Sequence, residues 1–184
     1  CPKNAFAGAT GTGVCEWCAK GYAATSEGSV FCTACPEGQA TAGGGEDKPC
    51  EPCGANAFAG GVGNAECTDC PAGYDADGKS NGACASCAAG QATEGGRVAC
   101  AKCDPADARL AAVGEGNHVC SLCPDGQAAN AGRTACEPCP AGRWSAGGAA
   151  CEDCGVDTFA AAAASGNAAC ASCADGSAPD AGQT

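Results

Sequence analysis

The sequence predicts small disulfide-rich tandem repeats: an elongated rod with little regular secondary structure, made of short β-hairpins and one or two short helical turns. Two observations lead there. Ten Cys-x-x-Cys pairs recur along the 184 residues at intervals of 15 to 20, from Cys15/Cys18 to Cys170/Cys173, with one further cysteine at position 1. Cysteine at 21 of 184 residues reads as a disulfide scaffold, and a fixed period reads as an array rather than one globule. The second observation is the want of core-forming side chains, with seven Val, two Leu, four Phe, no Ile and no Met against 30 Gly. Fixing a residue costs roughly 1–2 kcal/mol, and burying an alanine methyl returns much less than burying a leucine. Without cross-links such a chain is expected to be disordered. A bridge closing about 15 residues stabilises by about 3 kcal/mol in the chain-entropy picture, so covalent closure has to supply what the core does not.

Pairing is the next step. If the second cysteine of each Cys-x-x-Cys joins the first of the next, the bridges are Cys1–Cys15, Cys18–Cys32, Cys35–Cys50, Cys53–Cys67, Cys70–Cys84, Cys87–Cys100, Cys103–Cys120, Cys123–Cys136, Cys139–Cys151 and Cys154–Cys170. Only Cys173 is then left over, and its partner is expected beyond Thr184. Cys1 reads in the same way as the second half of a Cys-x-x-Cys whose first half lies upstream. The segment is therefore expected to be an interior piece of a longer array, with any signal peptide or membrane anchor outside it. Spacing alone does not select one connectivity, since six cysteines already allow fifteen. A bridge inside each Cys-x-x-Cys would close almost nothing and ranks below the sequential pattern.

A longer period appears when the loops are aligned. "CPKNAFAGATGTGVCEWC" from Cys1 returns as "CGANAFAGGVGNAECTDC" from Cys53, and more loosely from Cys103 and Cys154. "CAKGYAATSEG" from Cys18 matches "CPAGYDADGKS" from Cys70, and "CPEGQATAGGG" from Cys35 matches "CAAGQATEGGR" from Cys87. Three loops make one six-cysteine unit of about 51 residues, which divides the chain into units at 1–52, 53–102 and 103–153 with a partial unit at 154–184.

Within a loop the turn chemistry repeats. Cys-Pro-x-Gly, at Cys35–Gly38, Cys70–Gly73, Cys123–Gly126 and Cys139–Gly142, suits a type I turn with Pro second and Gly fourth. Asn4, Asn56 and Asp157 replace that glycine in the first loop of a unit, and both residue types tolerate left-handed backbone; Ala106 is the exception. Shortly afterwards comes a ring or large side chain (Phe6, Tyr22, Phe58, Tyr74, Trp144, Phe159), expected to cover a disulfide and the neighbouring loop. Short strand pairs of two to four residues should cross each loop. Two helical turns are expected: "DPADARLAAVG", with Asp104 as N-cap, Pro105 in the first turn and Gly114 as stop, and "DTFAAAAASG", from Asp157 to Gly166.

Repeated Cys-x-x-Cys with six cysteines per unit, "CPKNAF" and "CPAGY" openings and Ala/Gly-rich loops resemble the cysteine-rich surface (immobilization) antigens of ciliates. More broadly they resemble ephrin-receptor-like cysteine-rich repeats, similar in style to tumour-necrosis-factor-receptor modules. The resemblance covers the whole segment and implies a secreted or glycolipid-anchored coat protein whose tandem units project from the cell. The loops depart from that pattern in being poorer in aromatic, Ser and Thr residues.

Other chemistries fit less well. Two Cys-x-x-Cys knuckles can present four thiolates to zinc at this separation, but a tenfold uninterrupted ladder and an orphan cysteine have no zinc explanation. A thioredoxin-like site needs one activated pair in a βαβ setting, which the chain lacks. A net charge of −12, spread through the loops, argues against nucleic acid as a partner. Asp75, Asp77 and Gly78 are similar to the opening of a calcium loop, but Lys79 takes a ligand position, so the stretch reads as a turn. The one histidine, His118, has no nucleophile constellation, and Glu46/Asp47 and Glu152/Asp153 are adjacent in sequence, which points their carboxylates apart. No asparagine begins an Asn-x-Ser/Thr acceptor site.

The resulting expectation is a non-catalytic, extracellular structural protein without a cofactor, forming a cell-surface coat or filament and associating with itself along or beside the array. The twenty paired cysteines are its functional residues. The alternatives are a receptor-like module that binds a protein ligand through the region Asp104 to His118, and a four-thiolate zinc array.

Overall fold

The computed structural model describes residues 1–8, 13–76, 78–104, 106–107, 109–163 and 165–174. Its strands are two or three residues long and pair antiparallel into ten hairpins. Ala5–Phe6 pairs with Glu16–Trp17, Tyr22–Ala23 with Thr33–Ala34, Gln39–Ala40 with Glu51–Pro52, Ala57–Phe58 with Thr68–Asp69, and Tyr74–Asp75 with Ala85–Ser86. Gln91–Ala92 then pairs with Ala101–Lys102, Leu110–Ala111 with Ser121–Leu122, Gln127–Ala129 with Cys136–Pro138, Arg143–Trp144 with Glu152–Asp153, and Thr158–Phe159 with Ala171–Ser172. The two residues inside every Cys-x-x-Cys are thus the return strand of a hairpin. A bridge closes each one, so the chain is an array of tandem disulfide-rich repeats.

The turn that opens each hairpin starts one residue later than the sequence suggests. The Gln39 N–H donates to the Pro36 carbonyl at 3.1 Å, and Tyr74 does the same to Pro71. Proline therefore stands first and Gly38 third, with φ 79°, a left-handed residue that a type I turn does not contain. Asn4, Asn56 and Asp157 hold the same backbone place with φ of 61°, 58° and 61°.

Neither expected helix forms; among the described residues there is none. Asp104 does not cap a helix: its Oδ1 accepts the Ala106 N–H at 2.8 Å, and Asp107 repeats the motif with Arg109 at 3.0 Å. Pro105 lies outside the described residues. Leu110 and Ala111 are then extended because they pair with Leu122 and Ser121. In the last loop Thr158 and Phe159 are strand, and the Gly166 N–H closes only a tight turn onto the Ala163 carbonyl at 3.0 Å. A helix of two or three turns is marginal by itself, and a loop tied at both ends gains more by pairing its strand.

The chain divides into two compact units, Cys1–Ser86 with Glu94–Ala99, and Cys87–Thr93 with Cys100–Thr184. Within the first, consecutive loops are sewn together by a repeated set of main-chain bonds. Gly38 N donates to Ala59 O at 2.9 Å, Thr41 N to Asn64 O at 3.1 Å, and Gly63 N returns to Cys35 O at 2.8 Å. The same three bonds join loops inside the second unit, from Gly90 to Ala112 at 2.8 Å, Thr93 to Asn117 at 3.2 Å, and Gly116 back to Cys87 at 2.8 Å. Contacts also reach second neighbours. A Cβ on Gly38 would overlap the Ser80 carbonyl, and one on Gly90 would stand 2.6 Å from the Gly132 oxygen. Nearest-neighbour packing alone therefore does not describe the array.

What is buried between loops is small. The core consists of alanines such as Ala5, Ala57 and Ala112 together with cysteines, and no ring is among the fully buried side chains. Tyr22 and Tyr74 stay 43% and 40% exposed. The Tyr22 ring nonetheless lies against the loop two hairpins on, 3.8 Å from where a Gly63 Cβ would be. Glycine there is required by its φ of 77° rather than by space, since a Cβ would meet the ring in ordinary contact.

Candidate functional site

The cysteines are the chemistry of this chain, and the hairpins position them. In most loops the N–H of the first cysteine is held by the turn residue of the loop before: Cys18 by Asn4 O at 2.9 Å, Cys35 by Gly21 O at 2.8 Å, Cys123 by Arg109 O at 3.0 Å. That bond ends the return strand and turns the sulfur inward. The bridges run Cys1–Cys15, Cys18–Cys32, Cys35–Cys50, Cys53–Cys67 and Cys70–Cys84, and then Cys87–Cys100, Cys103–Cys120, Cys123–Cys136, Cys139–Cys151 and Cys154–Cys170. Their Cα–Cα distances of 5.3 to 5.8 Å are ordinary for a disulfide.

Each bridge is lopsided in exposure. From the second bridge on the opening cysteine is deeply buried, with Cys18 at 2%, Cys35 at 0% and Cys53 at 1%, whereas closing partners such as Cys32, Cys50 and Cys67 are partly exposed; in the first bridge Cys1 is partly exposed and Cys15 exposed. Cys173, partly exposed, is outside any bridge, and its N–H donates to the Asp157 carbonyl at 2.9 Å.

The extended return strand also decides against the other uses of the motif. Three residues of strand separate the two cysteines of a pair by about 10 Å at their Cα atoms, beyond the reach of about 7 Å at which a bridge closes. The zinc array that the same spacing allows is not formed, because twenty of its thiolates are covalently paired. Among the described residues no group of three or more His, Cys, Asp or Glu is placed to hold a metal ion. Asp77 of the calcium-like stretch lies outside the described residues.

The remaining candidate side chains are dispersed. Glu152 and Asp153 are consecutive residues of one strand, and Asp153 is taken by the Arg143 Nε at 2.6 Å. His118 is exposed on the loop closed by Cys103 and Cys120. That loop carries a forked ion pair, Arg109 Nε to Asp107 Oδ1 at 2.9 Å and Nη2 to Oδ2 at 3.0 Å. Those hydrogen bonds, with the Arg109 backbone N–H, hold the Asp107 carboxyl at about 2. Arg133 reaches into the same loop and donates to the Asp107 and Leu110 carbonyls.

Two sets of buried polar residues have side-chain roles that the sequence did not reveal, Asn4 and Asn56 being legible there only for their backbone. Asn4 and Asn56 are 5% and 6% exposed, and their Nδ2 atoms donate to Glu46 O at 2.7 Å and Arg97 O at 3.1 Å, two loops further on. Thr41, Thr93 and Ser145 are 5%, 5% and 2% exposed in the third loop of each unit. Thr41 donates to Lys48 O at 2.8 Å, and the single Ser145 hydroxyl proton donates to Ala149 O at 2.7 Å with Gln127 O also within reach at 3.1 Å. The available signal was their recurrence once every three loops among residues that otherwise vary.

Chemically, then, the arrangement resists unfolding and offers a surface of backbone, small side chains and carboxylates. No family model matches the chain, and no curated protein is significantly similar to it. Its kind rests on its architecture: tandem repeats of disulfide-bonded, cysteine-rich hairpin modules.

Proposed function

We propose that this chain is a non-catalytic structural segment of an extracellular protein, one that builds a cell-surface coat or filament of the ciliate surface-antigen type. The observation that carries the reading is the ladder of ten bridges closing hairpins with hardly any apolar core. Such density of disulfides is typical of secreted and extracellular proteins, and a fold that depends on it is not maintained in a reducing cytosol. The six-cysteine units at 1–52, 53–102 and 103–153, with the partial unit at 154–184, are the repeats of that coat. The net charge of −12 keeps a solvated surface, and copies associate along or beside one another through exposed Val14, Trp17 and Phe31.

A second reading is favoured by one loop. That closed by Cys103 and Cys120 has the largest separation, 17 residues, exposes Val113, Val119 and His118, and also carries the Asp107–Arg109 pair. It is the place for a protein ligand if the chain is receptor-like.

The test is surface accessibility on intact cells of the source. Antibody to the folded segment should stain unpermeabilised cells, and external protease should remove that signal. Staining only after permeabilisation would overturn the extracellular reading. Deleting residues 104–118 then separates the two roles, since a coat keeps its assembly and a receptor loses its ligand.

A further inference from the structure

We infer that Asn4 and Asn56 are clamps that bind three consecutive hairpins into one cooperative element, and that the array opens first at loops 7–9, the stretch between Cys103 and Cys151, where the corresponding turn residue, Arg109, does not act as such a clamp. This goes beyond the coat reading and does not depend on it.

The argument starts from the turn residue that faces the loop two hairpins on. Where it is glycine, main chain meets main chain: Gly38 against Ser80, Gly90 against Gly132, Gly126 against Gly166. An asparagine there brings a Cβ and an amide, so the second-neighbour loop is held at side-chain length by a hydrogen bond. Asn56 shows the full device. Its Oδ1 accepts the Ala76 N–H of the next loop at 3.3 Å, while its Nδ2 donates to Arg97 O of the loop after that at 3.1 Å. One buried amide thereby ties three loops, and moving any of them leaves a buried polar group without its partner, which costs more than the bond contributes when formed. Asn4 makes the same reach to Glu46 O at 2.7 Å.

The third unit is built differently. The bridge Cys103–Cys120 spans 17 residues against 14 for Cys53–Cys67. The residue whose carbonyl holds the next cysteine, as Asn56 holds Cys70 at 3.0 Å, is Arg109, holding Cys123 at 3.0 Å. The Arg109 side chain is occupied by Asp107. With its guanidinium turned to Asp107, Arg109 does not make the reach to the loop of Cys139 that Asn56 makes to the loop of Cys87. The tip of the latter is held by its own Ser145 and by Asp125 of the adjacent loop, whose Oδ1 accepts the Gly147 N–H at 2.5 Å. Loops 7–9 thus lack a turn-residue side chain that ties the first of them to the third, and one can open while the next-but-one stays closed.

Native-state amide exchange with the bridges intact tests this. In the unaltered chain the amides of Ala112 and Gly116 should exchange about tenfold faster than those of Ala59 and Gly63. Asn56→Asp keeps the acceptor for Ala76 and removes the donor to Arg97. It should accelerate exchange at Ala59 and Gly96 by about three- to tenfold and leave Ala112 unchanged. Asn4→Asp should do the same at Ala7 and Gly44, which keeps the test decisive if either variant fails to form its bridges. Equal protection of all units in the unaltered chain, or an effect confined to the substituted residue, would overturn the inference.

Discussion

A Cβ on Gly21 would stand 2.6 Å from the carbonyl carbon of Gly63, a residue two hairpins further along the chain. The two backbones pack with no side chain between them, and Gly21 has φ 79° as well. Gly28 has φ 71° but open space around it. Comparing the two isolates packing from conformation. Gly28→Ala should cost about 1 kcal/mol from left-handed strain alone. Gly21→Ala adds a displacement of main chain and should cost about 3 kcal/mol or more. Guanidinium unfolding of the oxidised protein measures both, and equal midpoints would show that the approach of Gly21 to Gly63 is unimportant.

Ser145 is 2% exposed, and its hydroxyl lies at 3.1 Å from Gln127 O and 2.7 Å from Ala149 O. Ser145→Ala removes the donor to the half-buried Ala149 carbonyl and should lower stability by about 1 kcal/mol. The expected signature is faster amide exchange near Ala149, with the bridge Cys139–Cys151 intact.

The Asp107 carboxyl is lowered to about 2, first by the Arg109 side chain and then by the Arg109 backbone N–H. Its unfolded value is about 3.9, so the pair contributes stability that is fully present above that value and disappears as pH falls through about 2. A carboxyl NMR titration should place the Asp107 midpoint near 2, and Arg109→Gln should move it up toward the ordinary carboxylate range. An unchanged midpoint in that variant would assign the shift to another group.

Exposure of the closing sulfurs predicts where reduction begins. A small thiol should attack Cys32 or Cys50 rather than buried Cys18 or Cys35, because thiol–disulfide exchange needs access to the sulfur it attacks. Trapping the mixed disulfides and mapping them by mass should find the reductant on closing cysteines. Alkylation of the denatured, chelator-treated protein without reductant should modify Cys173 alone, whereas prior reduction should expose all 21 cysteines. Broad alkylation without reductant would remove the bridged ladder and the extracellular reading together.

The cysteine spacing and the shortage of large apolar residues were sufficient for an array of stapled hairpins, since a chain so poor in core formers has few other ways to fold. Asn4, Asn56 and Asp157 were legible as left-handed residues because only their local backbone preference was at stake. Local preference failed where long-range pairing competed with it. Asp104 and Asp157 carry helix-start signals, yet Leu110 and Thr158 are strand, held in register by Leu122 and Ser172 across a closed loop. The turn was likewise shifted by one residue, because the third place, not the fourth, needed the positive φ of Gly38. What only the tertiary structure decided is the meeting of second neighbours: Gly21 beneath Gly63, Asn4 on Glu46, Asn56 on Arg97. Those pairs lie about 40 residues apart in the chain, and their distance is set by how successive hairpins stack, a quantity that spacing and turn chemistry within one loop do not contain.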